Sequence, residues 1–202
     1  KGYYGNIGEK QGLENVIEAA ARLKGHPWLF AIVGQGGGKA RLEKMVSERG
    51  LDNVKFFPLQ PYEALPALLA LGDCHLVIQK RGAADAVLPS KLTNILAVGG
   101  NAVITAEEST ELGQLCLNEP GIAVCVEPES VDALTSGIER ALALPTNNTV
   151  AREYAERTLE KENVLSQFIA DISPEKSATP AAAHDGAAHE ARLNFDGNGD
   201  KS

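Results

Sequence analysis

Short apolar runs recur along this sequence, at residues 29–33 (Leu-Phe-Ala-Ile-Val), 74–78 (Cys-His-Leu-Val-Ile), 102–105 (Ala-Val-Ile-Thr) and 122–126 (Ile-Ala-Val-Cys-Val). A strand with one face in water alternates apolar and polar residues; a run apolar at nearly every position is covered on both faces. Helices on both sides of a sheet provide that cover, and parallel strands joined through those helices are the usual way to build it. The intervening sequence fits. Leu13, Val16, Ile17, Ala20 and Leu23 recur at helical spacing, and Gly25-His26-Pro27 stops that helix.

The rest of the chain keeps the alternation. Gly2-Tyr3-Tyr4 reads as a first strand, so the chain opens inside an element and is expected to be part of a longer protein. After strand 29–33, Leu42, Met45 and Val46 face inward from a helix ending near Gly50, and 54–57 is a third strand closed by Pro58. Residues 62–71 read as helix and 74–78 as strand, and the stretch 88–100 leaves a loop through its proline and continues as an apolar helix. A helix over 110–117 then divides strands 102–105 and 122–126. Ser130 caps a helix carrying Leu134, Ile138, Ala141 and Leu142 and stopped by Pro145; a charged helix starts at Thr149, and 163–172 forms a last amphipathic one. From Ser173 to Ser202 only Leu193 and Phe195 are large and apolar, so that tail is expected to be disordered. The expected fold is α/β: a Rossmann-like, parallel, six-stranded sheet in the order 3-2-1-4-5-6, within a domain at 1–172.

Several function classes are excluded early. The 202 residues carry a net charge of −8 with both signs interspersed, unlike a nucleic-acid binder. No apolar run approaches the roughly 18 residues of a membrane span, so the expected location is cytoplasmic. Cys74, Cys116 and Cys125 form no CxxC pair and are expected to be buried thiols in a reducing compartment. His26, His75, His184 and His189 have no metal spacing, and His75 reads as a hydrogen-bonded core residue. Asp196-Gly197-Asn198-Gly199-Asp200 resembles the start of a calcium loop, but the sequence given stops before the twelfth position, so no metal and no cofactor are expected.

In the order 3-2-1-4-5-6, strands one and four flank the switch point where such sheets bind ligands. Strand one leads into Gly5-Asn6-Ile7-Gly8-Glu9-Lys10-Gln11-Gly12, whose glycines admit close approach of backbone to a ligand at a helix start. Strand four leads through Gln79-Lys80-Arg81 to Leu88-Pro89-Ser90-Lys91-Leu92. Ser90 would cap that helix, and Lys91 would add a full charge to its positive end. Lys10, Lys80, Arg81 and Lys91 then make a local cationic cluster suited to a diphosphate. Gly34-Gln35-Gly36-Gly37-Gly38-Lys39 follows strand two instead of strand one. It lacks the last glycine of a dinucleotide fingerprint and the Ser or Thr of a phosphate loop, so it flanks a ligand at most.

The ordered succession of Gly5 to Leu13, Ala31-Ile32-Val33-Gly34, Val54 to Pro58 and Leu88 to Leu92 resembles the C-terminal domain of family 4 glycosyltransferases of the GT-B fold, among them enterobacterial exopolysaccharide enzymes. The likeness spans 1–172, leaving 173–202 as a tail. It implies the C-terminal, donor-binding half of a retaining enzyme that holds a nucleotide-diphosphate sugar, with GDP-fucose favoured. The acceptor would be a lipid-linked exopolysaccharide intermediate, carried by an N-terminal domain outside this sequence, at the inner face of a bacterial cytoplasmic membrane. This half alone is expected to be inactive, and its catalytic residues are not identified. The implied donor contacts are Gly5, Asn6, Gly8, Lys10, Gln11, Gly12, Gly34, Lys80, Arg81, Pro89, Ser90, Lys91, Leu92 and Asn94. Asn6 and Gln11 stand where many members carry cations, and Asn94 where a glutamate grips the ribose hydroxyls. A nucleotide- or phosphate-binding module without chemistry and a sugar-nucleotide epimerase are the competing readings.

Overall fold

The structure, a computed structural model, describes residues 2–7, 12–82 and 90–159. The strands are β1 (Gly2–Asn6), β2 (Phe30–Gln35), β3 (Val54–Phe57), β4 (His75–Val77), β5 (Ala102–Thr105) and β6 (Val124–Val126). All pair in parallel, in the order β3-β2-β1-β4-β5-β6. The join between the two halves is thin: β1 meets β4 only at Gly2 and His75. The α/β class expected from the apolar runs is the one observed.

The helices are α1 (Glu14–Arg22), α2 (Lys39–Glu48), α3 (Leu65–Ala70), α4 (Ser90–Ala97), α5 (Glu111–Asn118), α6 (Val131–Leu142) and α7 (Thr149–Leu159). Successive strand residues point to opposite faces of a sheet, and here they enter separate cores. Leu76 and Val103 join Val16, Ile17 and Ile138 of α1 and α6. Val77 and Ile104 join Leu92, Ile95 and Leu96 of α4, with Leu112 of α5 and Ala151 of α7. Each large side chain buried this fully contributes about 1.5–3 kcal/mol, which is why α4 holds its orientation beneath the sheet.

Local chemistry sets the helix ends. Thr110 accepts the Gly113 N–H at 3.2 Å to start α5, and Ser130 accepts the Ala133 N–H at 3.1 Å to start α6, as its position before that helix predicts. The stretch expected to be one helix over 62–71 divides into a 3-10 turn at Tyr62–Ala64 and α3, with Pro66 in the first turn of the latter. Its imide nitrogen has no hydrogen to donate, which suits a helix start better than an interior. The last strand begins at Val124 instead of Ile122, because the Ile122 N–H turns back to the Glu119 carbonyl at 3.0 Å. Of the three cysteines, expected to be buried, Cys74 is fully buried and Cys116 and Cys125 are partly buried where α5 meets β6. The expected helix at 163–172 and the tail lie outside the described residues, and no described helix is long and apolar enough to cross a membrane.

Candidate functional site

The carboxyl edge of the sheet is where the loops after β1 and β4 emerge. Ile7, fully buried, anchors the first: its N–H donates to the Gln35 carbonyl at 2.9 Å, and its own carbonyl accepts the Gly38 N–H at 3.0 Å. The glycine-rich turn after β2 is thereby bound to the exit of β1, and Gly5 pairs with Gly34 and Asn6 with Gln35 across the two strands. The chain re-enters at Gly12 with φ +73°, a conformation that costs an L side chain about 1–2 kcal/mol.

Lys80, sixty-eight positions later in the chain, lies against Gly12. A Cβ on Gly12 would sit 3.4 Å from Lys80 Cγ and 3.6 Å from Lys80 Cε. The glycine therefore serves both backbone conformation and the close passage of a lysine stem. Just upstream, the Gln79 N–H donates to Thr105 Oγ1 at 2.7 Å, and the Thr105 hydroxyl donates to the Gln79 carbonyl at 2.8 Å. That reciprocal pair ties the start of the second loop to the end of β5 and aims Lys80 back across β4 towards α1.

Arg81 turns the other way. Its guanidinium faces Glu127 at 3.7 Å and Glu129 at 3.9 Å, its N–H reaches Glu129 at 3.3 Å, and the Gly82 N–H donates to Glu107 at 3.1 Å. Arg81 is thus balanced by carboxylates, while Lys80 sits beside Gly12. Glu129 holds a left-handed φ of 59°, strained for a residue with a Cβ, at the point where it meets Arg81.

Helix α4 starts at Ser90 from the same edge, since it links the carboxyl end of β4 to the start of β5. Ser90 is exposed, Asn94 is half-buried and Leu92 is buried in the core. The Ser90 carbonyl accepts the Thr93 hydroxyl at 2.7 Å. Burial lowers the Lys91 pKa to about 8, so its ammonium stands in a poorly hydrated setting where an anion gains most. The residues at the starts of α1 and α2, Leu13 and Gly38, have no side chain able to accept the first helical N–H groups, unlike Thr110 and Ser130 at α5 and α6.

Of the expected donor contacts, the structure brings Gly5 beside Gly34 and Gly12 beside Lys80, and sets Ser90 and Lys91 on the same edge. Gly8, Lys10, Gln11 and Pro89 lie outside the described residues. Sequence reasoning overlooked Thr105, Glu107, Glu127 and Glu129. The one signal for them is position, since each follows or ends an apolar strand at its carboxyl edge. No group of described residues has the make-up of a metal site.

The family model for glycosyl transferases group 1 matches residues 2–158. Over 170 residues the chain is 80% identical to a protein of Escherichia coli (strain K12) named as the colanic acid biosynthesis glycosyl transferase WcaI, covering 84% of this chain and 42% of that protein. The chain spans about two-fifths of the length of that relative and of a Pseudomonas aeruginosa glycosyltransferase that it matches at 25% identity. Among solved structures it is similar to a sucrose-phosphate synthase of Thermosynechococcus elongatus, with a TM-score of 0.65 and 21% identity over 84% of this chain and 45% of that one. It is also similar to WaaG, a glycosyltransferase involved in lipopolysaccharide biosynthesis, with a TM-score of 0.58 and 22% identity over 85% of this chain and 47% of that one. Those likenesses are to GT-B glycosyltransferases and concern the fold.

Proposed function

Because the chain belongs to the group 1 glycosyl transferases, we propose that residues 1–172 are the donor-binding half of a retaining glycosyltransferase of colanic acid biosynthesis. The donor is a nucleotide-diphosphate sugar, with GDP-fucose favoured, and the acceptor is a lipid-linked intermediate presented by an N-terminal half at the inner face of the cytoplasmic membrane. The observation that supports this reading is the approach of the Lys80 side chain to Gly12, which brings a cation from the end of β4 against the turn that leads into α1.

The chemistry follows from the charges. A diphosphate seated there meets the start of α1, the Lys80 ammonium and the first turn of α4 with Lys91. Neutralising the leaving diphosphate as the glycosidic bond to the donor sugar breaks is what lowers the barrier of such a transfer. Asn94 accepts a ribose hydroxyl with its amide oxygen, and Gly5 and Gly34 leave room for the base and ribose between β1 and β2. Asn6, Gly8, Lys10, Gln11 and Pro89 complete the donor loop, with Leu92 as its apolar support. Arg81 contributes by orienting the second loop against Glu127 and Glu129.

The test is a transfer assay on the enzyme with both halves present, supplied with lipid-linked acceptor and a panel of sugar nucleotides. The reading requires transfer from GDP-fucose with the anomeric configuration kept, and a fall of at least about tenfold on Lys91→Ala. Binding of nucleotide without transfer from any donor would instead identify a non-catalytic module, and an isomerised sugar nucleotide an epimerase.

A further inference from the structure

Away from the Lys80 and Gly12 contact, two thiols come together where α5 packs on β6. Cys116 sits in the last turns of α5 and Cys125 is the middle residue of β6. Both line one cavity of about 580 Å3, together with Arg81, Glu107 and Glu127. Both are partly buried against the same core, and the ionisation of each thiol depends on the other. Cys125 Sγ also lies 4.0 Å from the Ala106 carbonyl. The third cysteine, Cys74, is fully buried and is not in the lining of this cavity.

We propose that Cys116 and Cys125 form a reactive dithiol that a peroxide oxidises reversibly to a disulfide joining α5 to β6. The roles of the two sulfurs differ. The interaction of the two thiols pulls the Cys125 pKa down and pushes that of Cys116 up; burial adds to the rise at Cys116 and, with Glu108, opposes the fall at Cys125. That direction makes Cys125 the first of the two to ionise and so the nucleophile, with Cys116 as the resolving thiol.

The Cys125 thiolate attacks one peroxide oxygen; an S–O bond forms, the O–O bond breaks, and the departing hydroxide takes a proton to become water. The Cys116 sulfur then attacks the Cys125 sulfenic acid, loses its proton, and expels hydroxide as a second water. Two thiols lose two electrons and two protons in total, and one peroxide is reduced. The amino end of α5 is already fixed, because Gly113 packs against the Glu107 backbone and is capped by Thr110. The bridge would fix the other end of α5 and draw together the wall that Arg81, Glu107 and Glu127 share.

The experiment treats the chain with hydrogen peroxide, blocks remaining thiols with N-ethylmaleimide, cleaves it unreduced after Glu119, and weighs the fragments. The expected product is a Cys116–Cys125 linked pair, lighter by the lost hydrogens, that separates on adding dithiothreitol, with Cys74 alone unbridged. In Cys116→Ser, dimedone should trap Cys125 as its sulfenic acid. Before oxidation, Cys125 should alkylate about tenfold faster than Cys116 at pH 7.5. Recovery of both cysteines as maleimide adducts after oxidation, a bridge to Cys74, or Cys125 passing straight to sulfinic acid in the unsubstituted chain would each overturn the proposal.

Discussion

Acid should destabilise this fold through a single buried imidazole. His75 opens β4 and is 3% exposed, fitted between Gly72 and Gly100. A Cβ on Gly72 would lie 2.6 Å from His75 Cε1, and one on Gly100 2.8 Å from His75 Cδ2, so the ring fills a slot that only glycines leave open. Its Nε2 has no hydrogen-bond partner among the described residues. Burial lowers the His75 pKa from 6.5 to about 4; a backbone hydrogen bond at Leu69 and the Asp73 carboxylate act the other way without prevailing, and Lys91 adds to the lowering.

The sign follows from which state takes up the proton. Below pH 6.5 the unfolded chain protonates His75 while the folded one does not, so stability is full above pH 6.5 and is lost as pH falls towards 4. A shift of this size corresponds to about 3 kcal/mol in total, most of it gone by about pH 4.5. The assay is urea unfolding of wild type and His75→Gln from pH 7.5 to 4.5. Carboxylates titrate equally in both proteins, so the difference between their slopes isolates the imidazole. The variant is expected to start less stable and to lose about 2–3 kcal/mol less on acidification. Parallel pH curves for the two proteins would refute the reasoning.

Other consequences can be read from single side chains. Asn148→Ala removes donors to the Gly121 and Ile122 carbonyls, at 3.0 and 3.3 Å, and the acceptor of the Ala151 N–H, at 3.0 Å; unfolding free energy should fall by about 2–3 kcal/mol in a urea titration. In Gly113→Ala the new methyl would meet the Glu107 carbonyl oxygen at 2.2 Å and Glu108 Cα at 2.7 Å, both backbone, so thermal melts should show a loss of about 1–3 kcal/mol. Lys91, with a pKa of about 8, discharges as pH rises, so affinity for GDP should fall about tenfold between pH 7 and 9 and stay nearly level in Lys91→Arg.

The layered fold was legible because its determinants are local. Doubly covered strands announce themselves as apolar runs, and Ser130 sits where a helix cap must sit. Pairings between distant residues were not legible. Nothing near Arg81 in the chain points to Glu129, forty-eight positions on, so a sequence reading leaves its charge unopposed. Thr105 reads as the end of a strand until its hydroxyl is seen holding both polar groups of the Gln79 backbone. Cys116 and Cys125 lie in separate elements, and only the packing of α5 on β6 brings their sulfurs together. His75 was legible as a core residue, but the glycine slot that strips its hydration was not.

The account rests on a diphosphate seat where Gly12 meets Lys80, and calorimetry with GDP and guanosine tests that seat most directly. A charge-assisted contact of this kind contributes about 1.5–3 kcal/mol. GDP should therefore bind at least about tenfold more tightly than guanosine, and Lys80→Ala should remove most of that difference while leaving guanosine affinity as it was. Equal affinities for GDP and guanosine, or an unchanged GDP affinity in Lys80→Ala, would contradict it.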